Sequence, residues 1–513
     1  MESSSIDFDL LKRFDSEVWA KIPHVDGNRV VNPTPLVDVT RDLLECAARE
    51  YGTRLGTEGV RVFAKLDSKI EGGSVKVRPA AIIIRDAISS GRLRTGQKVF
   101  EATSGNFGVA LGYMGRLGLD VIALVSRRLQ QGVVDQLRAD GVRLVNLDID
   151  ICPAPGIQGD ADMLTAKGVA GTVRQQLEQL GFDPERFDDV KGEAERLLAR
   201  QDAIGLAKLL ARTYEGFCTE QYDNELNVEV HRTVTGPELD QQLAERGTSL
   251  GTADFVCAFG TGGTAMGVSR YISARHDRKG VRAVFPLEGQ DVAGIRTRQK
   301  AAGLKFYEPG ALLGAHEVDF EEATRVFEFF NRKGFDVGES GALALYACMQ
   351  LINYGVGRCL VAMVADGASK YTSVVGAIAR RGKRDQVSLE EAASAIGEYG
   401  GVVWTHNMFV PREAGIRAMA SSLRCDEAAV KVADVRDVQA VLNGREPSSQ
   451  FEKLLPADDR PVLVVCMAGN TSLMLAKVLE RRGIAAESLI GGIMGLPASK
   501  GRQPFELVQP AQP

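Results

Sequence analysis

Segments with the hydrophobic patterns of strands and of helices alternate through the early part of the chain. Strand-like runs are predicted at 60–66, 97–100, 120–125 and 142–147, and helix-like runs between them at 80–89, 107–117 and 130–139. This alternation is typical of α/β proteins with a mainly parallel sheet. In such folds, ligands bind at the carboxyl ends of the strands, so functional residues are expected in the connections there.

A lysine follows a flexible turn after the first of these strands. The segment EGGSVKVRP occupies residues 71–79, with Gly72 and Gly73 before Lys76 and Pro79 suited to the first turn of a helix. This placement lets the amine face a cleft, where it can bond to a carbonyl group. An isolated lysine is more often a solvated surface residue. Two further glycine-rich loops favour the cleft.

Each of the two loops connects a strand-like run to a helix-like run. EATSGNFG at 101–108 places hydroxyl and backbone N–H groups at a helix start, which suits a carboxylate. GTGGT at 260–264 follows the predicted strand 254–259 and suits a phosphate. Each loop alone is a weak signal, because many strand–helix turns look alike. The order of lysine, hydroxyl-rich loop and phosphate loop is more specific.

These motifs resemble those of the cysteine synthase and cystathionine β-synthase group of fold-type II pyridoxal phosphate enzymes. The likeness rests on GGSVKVRPA at 72–80, EATSGNFG at 101–108, EQYDN at 220–224, TGPEL at 235–239, GTGGTAMGVSRYI at 260–272 and DGASKYTS at 366–373. It implies an α/β, two-domain catalytic core over residues 1–384, interrupted by an insertion at 155–195 that we interpret as a surface feature. It also implies a homodimer.

The resemblance implies a role for each motif. Lys76 would carry pyridoxal 5'-phosphate covalently, and Asn106 would bond to the hydroxyl of the pyridine ring. The phosphate would bind to Gly260, Thr261, Gly262, Gly263 and Thr264. The carboxylate of an amino-acid substrate would bind to Thr103, Ser104, Gly105, Asn106 and Gln221.

One position departs from the family pattern. A serine that contacts the pyridine nitrogen usually follows the aspartate of the DGASKYTS segment, but here Gly367 follows Asp366. Asp366 or Ser369 is therefore a candidate for this contact. A carboxylate would deepen the electron sink of the cofactor, whereas a neutral partner would favour β-elimination chemistry, and the sequence leaves both open.

The loop GIRTRQK at 294–300 lies, by resemblance, where the family closes over the substrate side chain. Arg296 and Arg298 offer planar forks that suit a phosphate ester, which favours O-phosphoserine over O-acetylserine. Clustered charges on a loop are more commonly solvated, so this hypothesis competes with a simple surface role.

A second domain is predicted over residues 385–513. A strand at 461–465 runs into CMAGNTS at 466–472, and backbone N–H groups around Cys466 would stabilise a thiolate or persulfide. With DVR at 434–436 and GGI at 491–493, the segment resembles a small α/β rhodanese-like domain. The 466–472 loop has no arginine to bind thiosulfate. A degenerate domain that docks a sulfur-carrier protein is therefore the alternative.

Composition excludes several classes of function. The 513 residues carry a formal net charge of -5 and no basic block, which argues against nucleic acid or an anionic membrane as partner. The N-terminus lacks a secretory pattern and no apolar run reaches about 18 residues, so we expect a cytoplasmic protein. The eight cysteines and five histidines show no paired spacing, which predicts reduced thiols and no metal site.

The motifs together predict an activity. We expect a β-replacement on an O-activated serine-type amino acid that forms a C–S bond, similar to cysteine synthase in sulfur metabolism and amino-acid biosynthesis. Lys76 would act as the base at the Cα proton, and Cys466 would help to deliver sulfur from the donor. The alternative is elimination, as in a cysteine desulfhydrase or a dehydratase. In that case the C-terminal domain would accept sulfur.

Overall fold

The computed structural model describes residues 6–56, 58–103, 105–125, 129, 131–147, 163–290, 292–371, 386–406, 410–442, 447–456, 458, 460–467, 469–482 and 484–496. The chain divides into two compact units, Met1–Thr372 and Ser373–Pro513. The predicted domain boundary at 384/385 and the first part of the predicted insertion, 155–162, lie outside the described residues. None of the helices in the described part is long and apolar enough to cross a membrane.

The first unit contains two parallel-type sheets and a short hairpin. Its strands are β1 His24–Asp26, β2 Arg29–Val31, β3 Leu36–Asp38, β4 Arg61–Leu66, β5 Lys98–Ala102, β6 Asp120–Val125, β7 Arg143–Asn146, β8 Phe217–Cys218, β9 Asp254–Ala258, β10 Val281–Pro286, β11 Gly314–Val318 and β12 Cys359–Val364. The first two strands pair with each other as the antiparallel hairpin.

Helices connect these strands. They are α1 Phe8–Glu17, α2 Thr40–Tyr51, α3 Val77–Ser89, α4 Asn106–Gly115, α5 Gln131–Ala139, α6 Met163–Gln179, α7 Pro184–Ala199, α8 Ala203–Thr213, α9 Leu226–Val230, α10 Gly236–Ala244, α11 Gly263–His276, α12 Arg298–Ala301, α13 Phe320–Arg332 and α14 Glu339–Asn353. A π-helical turn, His231–Thr235, joins α9 to α10.

The order of the strands brings the predicted motifs together. The larger sheet has the order β11-β10-β9-β12-β4-β3, and all its neighbours are parallel except β3 with β4. The smaller sheet, β7-β6-β5-β8, is parallel throughout. The predicted α/β architecture with mainly parallel strands is confirmed. Because β9, β12 and β4 are neighbours, the segments that follow them meet at one edge of the sheet.

The described part of the predicted insertion is built into the core of the first unit. Apolar residues of α6 and α7 belong to the same buried cluster as residues of β5 and α8. The ring of Phe182, between the two helices, lies 4.7 Å from that of Tyr214 and 5.7 Å from that of Phe100. Residues 163–195 therefore pack against the smaller sheet, and the interpretation as a surface feature is corrected for them.

The second unit is a single parallel sheet with helices on both faces. Its strands are β13 Gln386–Val387, β14 Gly401–Thr405, β15 Val430–Ala433, β16 Val462–Val465 and β17 Ala486–Leu489, in the order β13-β17-β16-β14-β15. Its helices are α15 Leu389–Ser394, α16 Arg412–Leu423, α17 Val435–Leu442, α18 Ser449–Glu452 and α19 Asn470–Arg481. Separate apolar clusters cover the two faces of the sheet.

The topology of the second unit defines a crevice. The chain leaves β14 toward β15 on one side and leaves β16 toward β17 on the other. Ligands of open α/β sheets bind at such a reversal, outside the carboxyl ends of the strands. Cys466 follows β16 directly and lies at this point. The DVR motif at 434–436 follows β15, and α17 begins within it at Val435. Asp434 Oδ1 accepts a hydrogen bond from the N–H of Arg436 at 2.8 Å at this helix start.

Candidate active site

Lys76 lies between the turn that follows β4 and the start of α3. Gly72 and Gly73 have φ angles of 92° and 78°, in the left-handed region that favours glycine. A Cβ on Gly72 would lie only 2.7 Å from Cγ2 of Val77, so position 72 has no room for a side chain. The N–H of Val75 donates to the carbonyl of Ala365 at 2.7 Å. The position of Lys76 is therefore fixed by the end of β12 as well as by β4, which the turn follows.

The surroundings of Lys76 favour a neutral amine. Burial and the nearby guanidinium of Arg296 lower the pKa of Lys76 to about 8, and the carboxylate of Asp366 opposes this shift. An unprotonated amine is the form that attacks a carbonyl carbon and accepts a proton. Lys76 is therefore suited both to hold an aldehyde cofactor and to act as a base near neutral pH.

The glycine-rich loop 260–264 lies directly beside this amine. A Cβ on Gly260 would lie 2.8 Å from the carbonyl oxygen of Gly294 and 3.8 Å from Nζ of Lys76. Gly262 has a φ of 93°, and α11 begins at Gly263. The loop thus presents backbone N–H groups at the N-terminus of a long helix, an arrangement that binds phosphate.

Two side chains that the sequence interpretation missed support the phosphate loop. Asn227 Nδ2 donates to Thr261 Oγ1 at 3.0 Å, and Thr264 Oγ1 lies 3.1 Å from Nε2 of His231. Burial lowers the pKa of His231 to about 3, so its imidazole is neutral. One ring nitrogen of a neutral imidazole donates a hydrogen bond and the other accepts one. His231 begins the π-helical turn, a local geometry that a 3.6-residue periodicity does not reveal.

A second polar cluster lies at the other end of the cleft. Asn106 Nδ2 donates to Asp366 Oδ2 at 2.7 Å and to the Tyr371 hydroxyl at 3.1 Å. The Tyr371 hydroxyl also donates to Asp366, and Lys370 Nζ donates to Asn106 Oδ1. Asp366 is therefore buried among protein partners, while the Ser369 side chain is exposed and does not line the cleft. Lys370 and Tyr371 lie in the DGASKYTS segment, but no role was predicted for them.

Thr103 of the hydroxyl-rich loop 101–108 bonds to the backbone of the loop itself. Thr103 Oγ1 accepts hydrogen bonds from the N–H groups of Gly105 and Gly108, at 3.1 and 3.2 Å, and so satisfies backbone donors at the start of α4. Gly105 has a φ of 136°. Ser104 lies outside the described residues. Of the residues predicted to bind a carboxylate, the structure brings Asn106 and Gln221 to the cleft.

The two arginines predicted to bind a phosphate ester differ in their exposure to solvent. Arg296 is buried, and its Nη2 donates to the hydroxyl of Tyr222 at 2.8 Å. Arg298 begins α12, is about half exposed, and lies 3.7 Å from a carboxylate oxygen of Glu317. The structure therefore brings Arg296, but not Arg298, to the region of Lys76.

These elements line a cleft beside Lys76 that offers the groups an aldehyde-bearing phosphate ester requires. The loop 260–264 can hold the phosphate, because its glycines leave the backbone N–H groups uncovered by side chains. The amine of Lys76 lies next to this loop. Asn106, Tyr371 and Ser340 line the rest of the cleft and supply polar groups for a ring and a substrate. The residues present therefore match the needs of pyridoxal phosphate.

The second unit contains a separate thiol site. Sγ of Cys466 accepts hydrogen bonds from the N–H of Gly469 at 3.1 Å and from the hydroxyl of Ser472 at 3.2 Å. The Ser472 hydroxyl also lies 2.8 Å from that of Ser488, and both serines are fully buried. By contrast, burial raises the pKa of Cys46 and of Cys257 to about 12. Hydrogen-bond donors at a sulfur can stabilise its thiolate, and Cys466, although buried, has two of them.

A lysine of lowered pKa beside a phosphate loop, on an α/β sheet, defines the class of enzymes that hold a carbonyl cofactor through an amine. The family model described as "Pyridoxal-phosphate dependent enzyme" matches residues 29–355. The chain belongs to this family, and pyridoxal phosphate is its cofactor. The predicted family and cofactor are confirmed. The matched residues lie within the first unit.

Several curated proteins are similar to the first unit. Cysteine synthase B of Salmonella typhimurium is 27% identical over 330 residues, which cover 62% of this chain and 89% of that protein. Cysteine synthase of Aquifex aeolicus is 27% identical over 352 residues, with coverages of 67% and 89%. The O-acetylserine dependent cystathionine beta-synthase of Bacillus subtilis is 26% identical over 328 residues, with coverages of 62% and 89%.

Solved structures share the fold. A crystal structure of a hydrogen sulfide-producing enzyme superposes with a TM-score of 0.50 at 19% identity, and the match covers 71% of this chain and 91% of that one. At this level of identity the similarity concerns the fold alone.

Proposed function

We propose that the protein catalyses a β-replacement on an O-activated serine-type amino acid and forms a C–S bond. The observation that carries this proposal is the position of Lys76. Its amine, with a pKa of about 8, adjoins the phosphate loop in a cleft that Asn106 and Gln221 also line. Similarity to the cysteine synthases of Salmonella typhimurium and Aquifex aeolicus supports the same reaction class.

The residues of the cleft have distinct tasks in this reaction. Pyridoxal phosphate, when bound, supplies an electron sink that makes the Cα proton of an amino acid acidic. The loop 260–264 holds the phosphate, with Asn227 and His231 fixing its two threonine hydroxyls. Lys76 Nζ takes the Cα proton, the group on Cβ leaves, and a sulfur nucleophile adds at Cβ.

Arg296 suggests the identity of the leaving group. Its buried guanidinium lies close enough to Lys76 to lower the pKa of that amine. A cation at this position would attract the phosphate of O-phosphoserine and stabilise the charge that develops on departure. We therefore propose O-phosphoserine as the preferred substrate, with Arg296 as the group that recognises it.

Product analysis tests the reaction class. The purified full chain is incubated with O-phosphoserine or O-acetylserine, each with sulfide or thiosulfate, and the products are identified by mass spectrometry. A new sulfur-containing amino acid, absent with the Lys76→Ala variant, is the expected result. Pyruvate and ammonia as the only products would instead support the alternative, elimination by a desulfhydrase or a dehydratase.

We further propose that the second unit is a rhodanese-like domain in which Cys466 carries sulfur as a persulfide. Its support is the crevice at the carboxyl end of β16 and the two hydrogen bonds that Sγ accepts. Covalent linkage to the first unit would raise the local concentration of sulfur there. Pull-down of sulfur-carrier proteins with intact and Cys466→Ser protein tests the alternative, in which the domain only docks such a carrier.

The resemblance to the family also leads us to propose a homodimer in the cytoplasm. Sedimentation of the full chain and fractionation of cells are the corresponding measurements. A monomeric chain with full activity would contradict the first part of this proposal.

A further inference from the structure

The side-chain amide of Gln221 is oriented so that its nitrogen cannot bind a carboxylate in the cleft. Nε2 donates to Glu101 Oε1 at 3.3 Å and to the carbonyl of Ala102 at 3.5 Å, so both N–H bonds are directed to β5. The polar atom left for the cleft, which Gln221 lines, is therefore Oε1. An oxygen acceptor repels a carboxylate, whereas the opposite orientation of the amide would offer it a donor.

The orientation of this amide depends on Glu101. The Glu101 side chain is buried and accepts hydrogen bonds from Gln221 and from the Thr219 hydroxyl, as an ionised carboxylate does. With Glu101 ionised, turning the amide around would bring Gln221 Oε1 against a carboxylate and a carbonyl. A protonated Glu101 has a hydroxyl that can donate to Oε1, so the turned amide gains a hydrogen bond there and only the carbonyl of Ala102, 3.5 Å from the amide nitrogen, still opposes it.

The environment of Glu101 brings its titration into the physiological range. Burial raises the pKa of Glu101 to about 7, against the side-chain hydrogen bonds from Thr219 and Gln221 that lower it. The charge of Glu220 raises this pKa further, while a hydrogen bond from the backbone of Glu220 lowers it. Lys208 on α8 pairs with Glu220 at 2.7 Å. Cys218 on β8, whose own pKa is raised by burial and by the charge of Glu101, also faces Glu101.

We propose that Glu101 is a positioning residue whose proton decides which end of the Gln221 amide faces the cleft. When Glu101 is ionised, Gln221 Oε1 faces the cleft. When Glu101 is protonated, its hydroxyl donates to Oε1, and Nε2 faces the cleft and donates to the substrate carboxylate. This inference rests on the proposed function, because it requires an amino-acid substrate. By linkage, binding of the carboxylate favours uptake of one proton at Glu101.

The expected pH dependence follows from the sign of this coupling. Preference for a carboxylate over a carboxamide is greatest at low pH, where Glu101 is protonated and Nε2 faces the ligand. The preference falls as the pH rises through about 7, because Oε1 then faces the ligand and accepts from a carboxamide N–H.

The preference for a carboxylate over a carboxamide can be measured with two ligands that have no leaving group and therefore do not react further. The dissociation constants of L-alanine and L-alaninamide are measured on the holoenzyme from changes in cofactor absorbance between about pH 6 and 8.5. In the unsubstituted protein the preference for L-alanine is expected to fall about tenfold over this range. In Glu101→Gln only the pH dependence that comes from the ligand amines is expected to remain, because the amide at position 101 does not titrate. Titration of the ligand amines and of Lys76 affects both proteins and cancels in the comparison.

Two further variants keep the inference testable if Glu101→Gln fails to bind cofactor. Thr219→Val removes a donor to ionised Glu101 and should move the midpoint to higher pH. Gln221→Leu should reduce the pH dependence to that of Glu101→Gln. An equal pH dependence in the unsubstituted protein and in Glu101→Gln or Gln221→Leu overturns the inference but not the proposed function. If L-alanine causes no absorbance change at any pH, both fail.

Discussion

The amine of Lys76 and the backbone of Gly260 are in direct proximity, since a Cβ on Gly260 would lie 3.8 Å from Nζ. The same Cβ would lie 2.8 Å from the carbonyl oxygen of Gly294, a backbone atom that cannot turn away. The phosphate loop, the lysine and the loop at Gly294 therefore form one closely packed wall.

Substitution of Gly260 should weaken cofactor binding. Gly260→Ala forces the phosphate loop away from Gly294, so we expect the affinity for pyridoxal phosphate to fall at least about tenfold. The measurement is the cofactor absorbance per protein after dialysis. Gly310→Ala is the matched control, because nothing lies within 4 Å of its added Cβ. Equal loss in both variants would contradict the role given to the loop.

Attachment of the cofactor to Lys76 should depend on pH. Because burial and Arg296 lower the pKa of Lys76 to about 8, the rate of attachment to the apoenzyme should rise up to about that pH and then level off. Borohydride trapping at each pH and peptide mapping measure it. Replacing Arg296 with glutamine removes a cation and should move the midpoint higher, while Arg298→Gln should leave it unchanged. An adduct on another lysine would refute the assignment of Lys76.

Arg296 should set the choice of leaving group. We expect Arg296→Ala to lower kcat/KM for O-phosphoserine about 10- to 100-fold more than for O-acetylserine, since only the phosphate loses a charged partner. Arg298→Ala, exposed and near Glu317, serves as control and should leave the ratio of the two values unchanged. An unchanged ratio in both variants would favour O-acetylserine as the substrate.

Cys466 should be the most reactive thiol. Its Sγ accepts two hydrogen bonds, whereas burial raises the pKa of Cys359 and of Cys425. Brief alkylation at mildly acidic pH, mapped by peptide, should label Cys466 first. Ser472→Ala should slow this labelling about tenfold by removing a donor. Labelling of Cys425 or Cys359 at an equal or higher rate would favour the docking alternative.

Much of the secondary structure could be predicted from local patterns. The strand at 120–125 occurs with the predicted bounds, and the strands predicted at 60–66 and 142–147 are found within one residue of their predicted ends. Helix α3 begins at Val77, three residues before the predicted start, because the turn at Ser74 and Val75 already makes helical hydrogen bonds to Val77 and Arg78. Such shifts at element ends arise from backbone contacts that hydrophobic periodicity does not encode.

The sequence by itself determined the α/β class, the lysine turn and the phosphate loop, because glycine spacing and strand–helix alternation are local properties of a chain. Only the tertiary structure decided how the side chains were used. Asn106 meets Asp366 across 260 positions, and Arg296 is buried while Arg298, two residues further, is exposed. The pKa of Lys76 and of Glu101 likewise depends on burial and on charges from distant segments, which exist only when the sheets assemble.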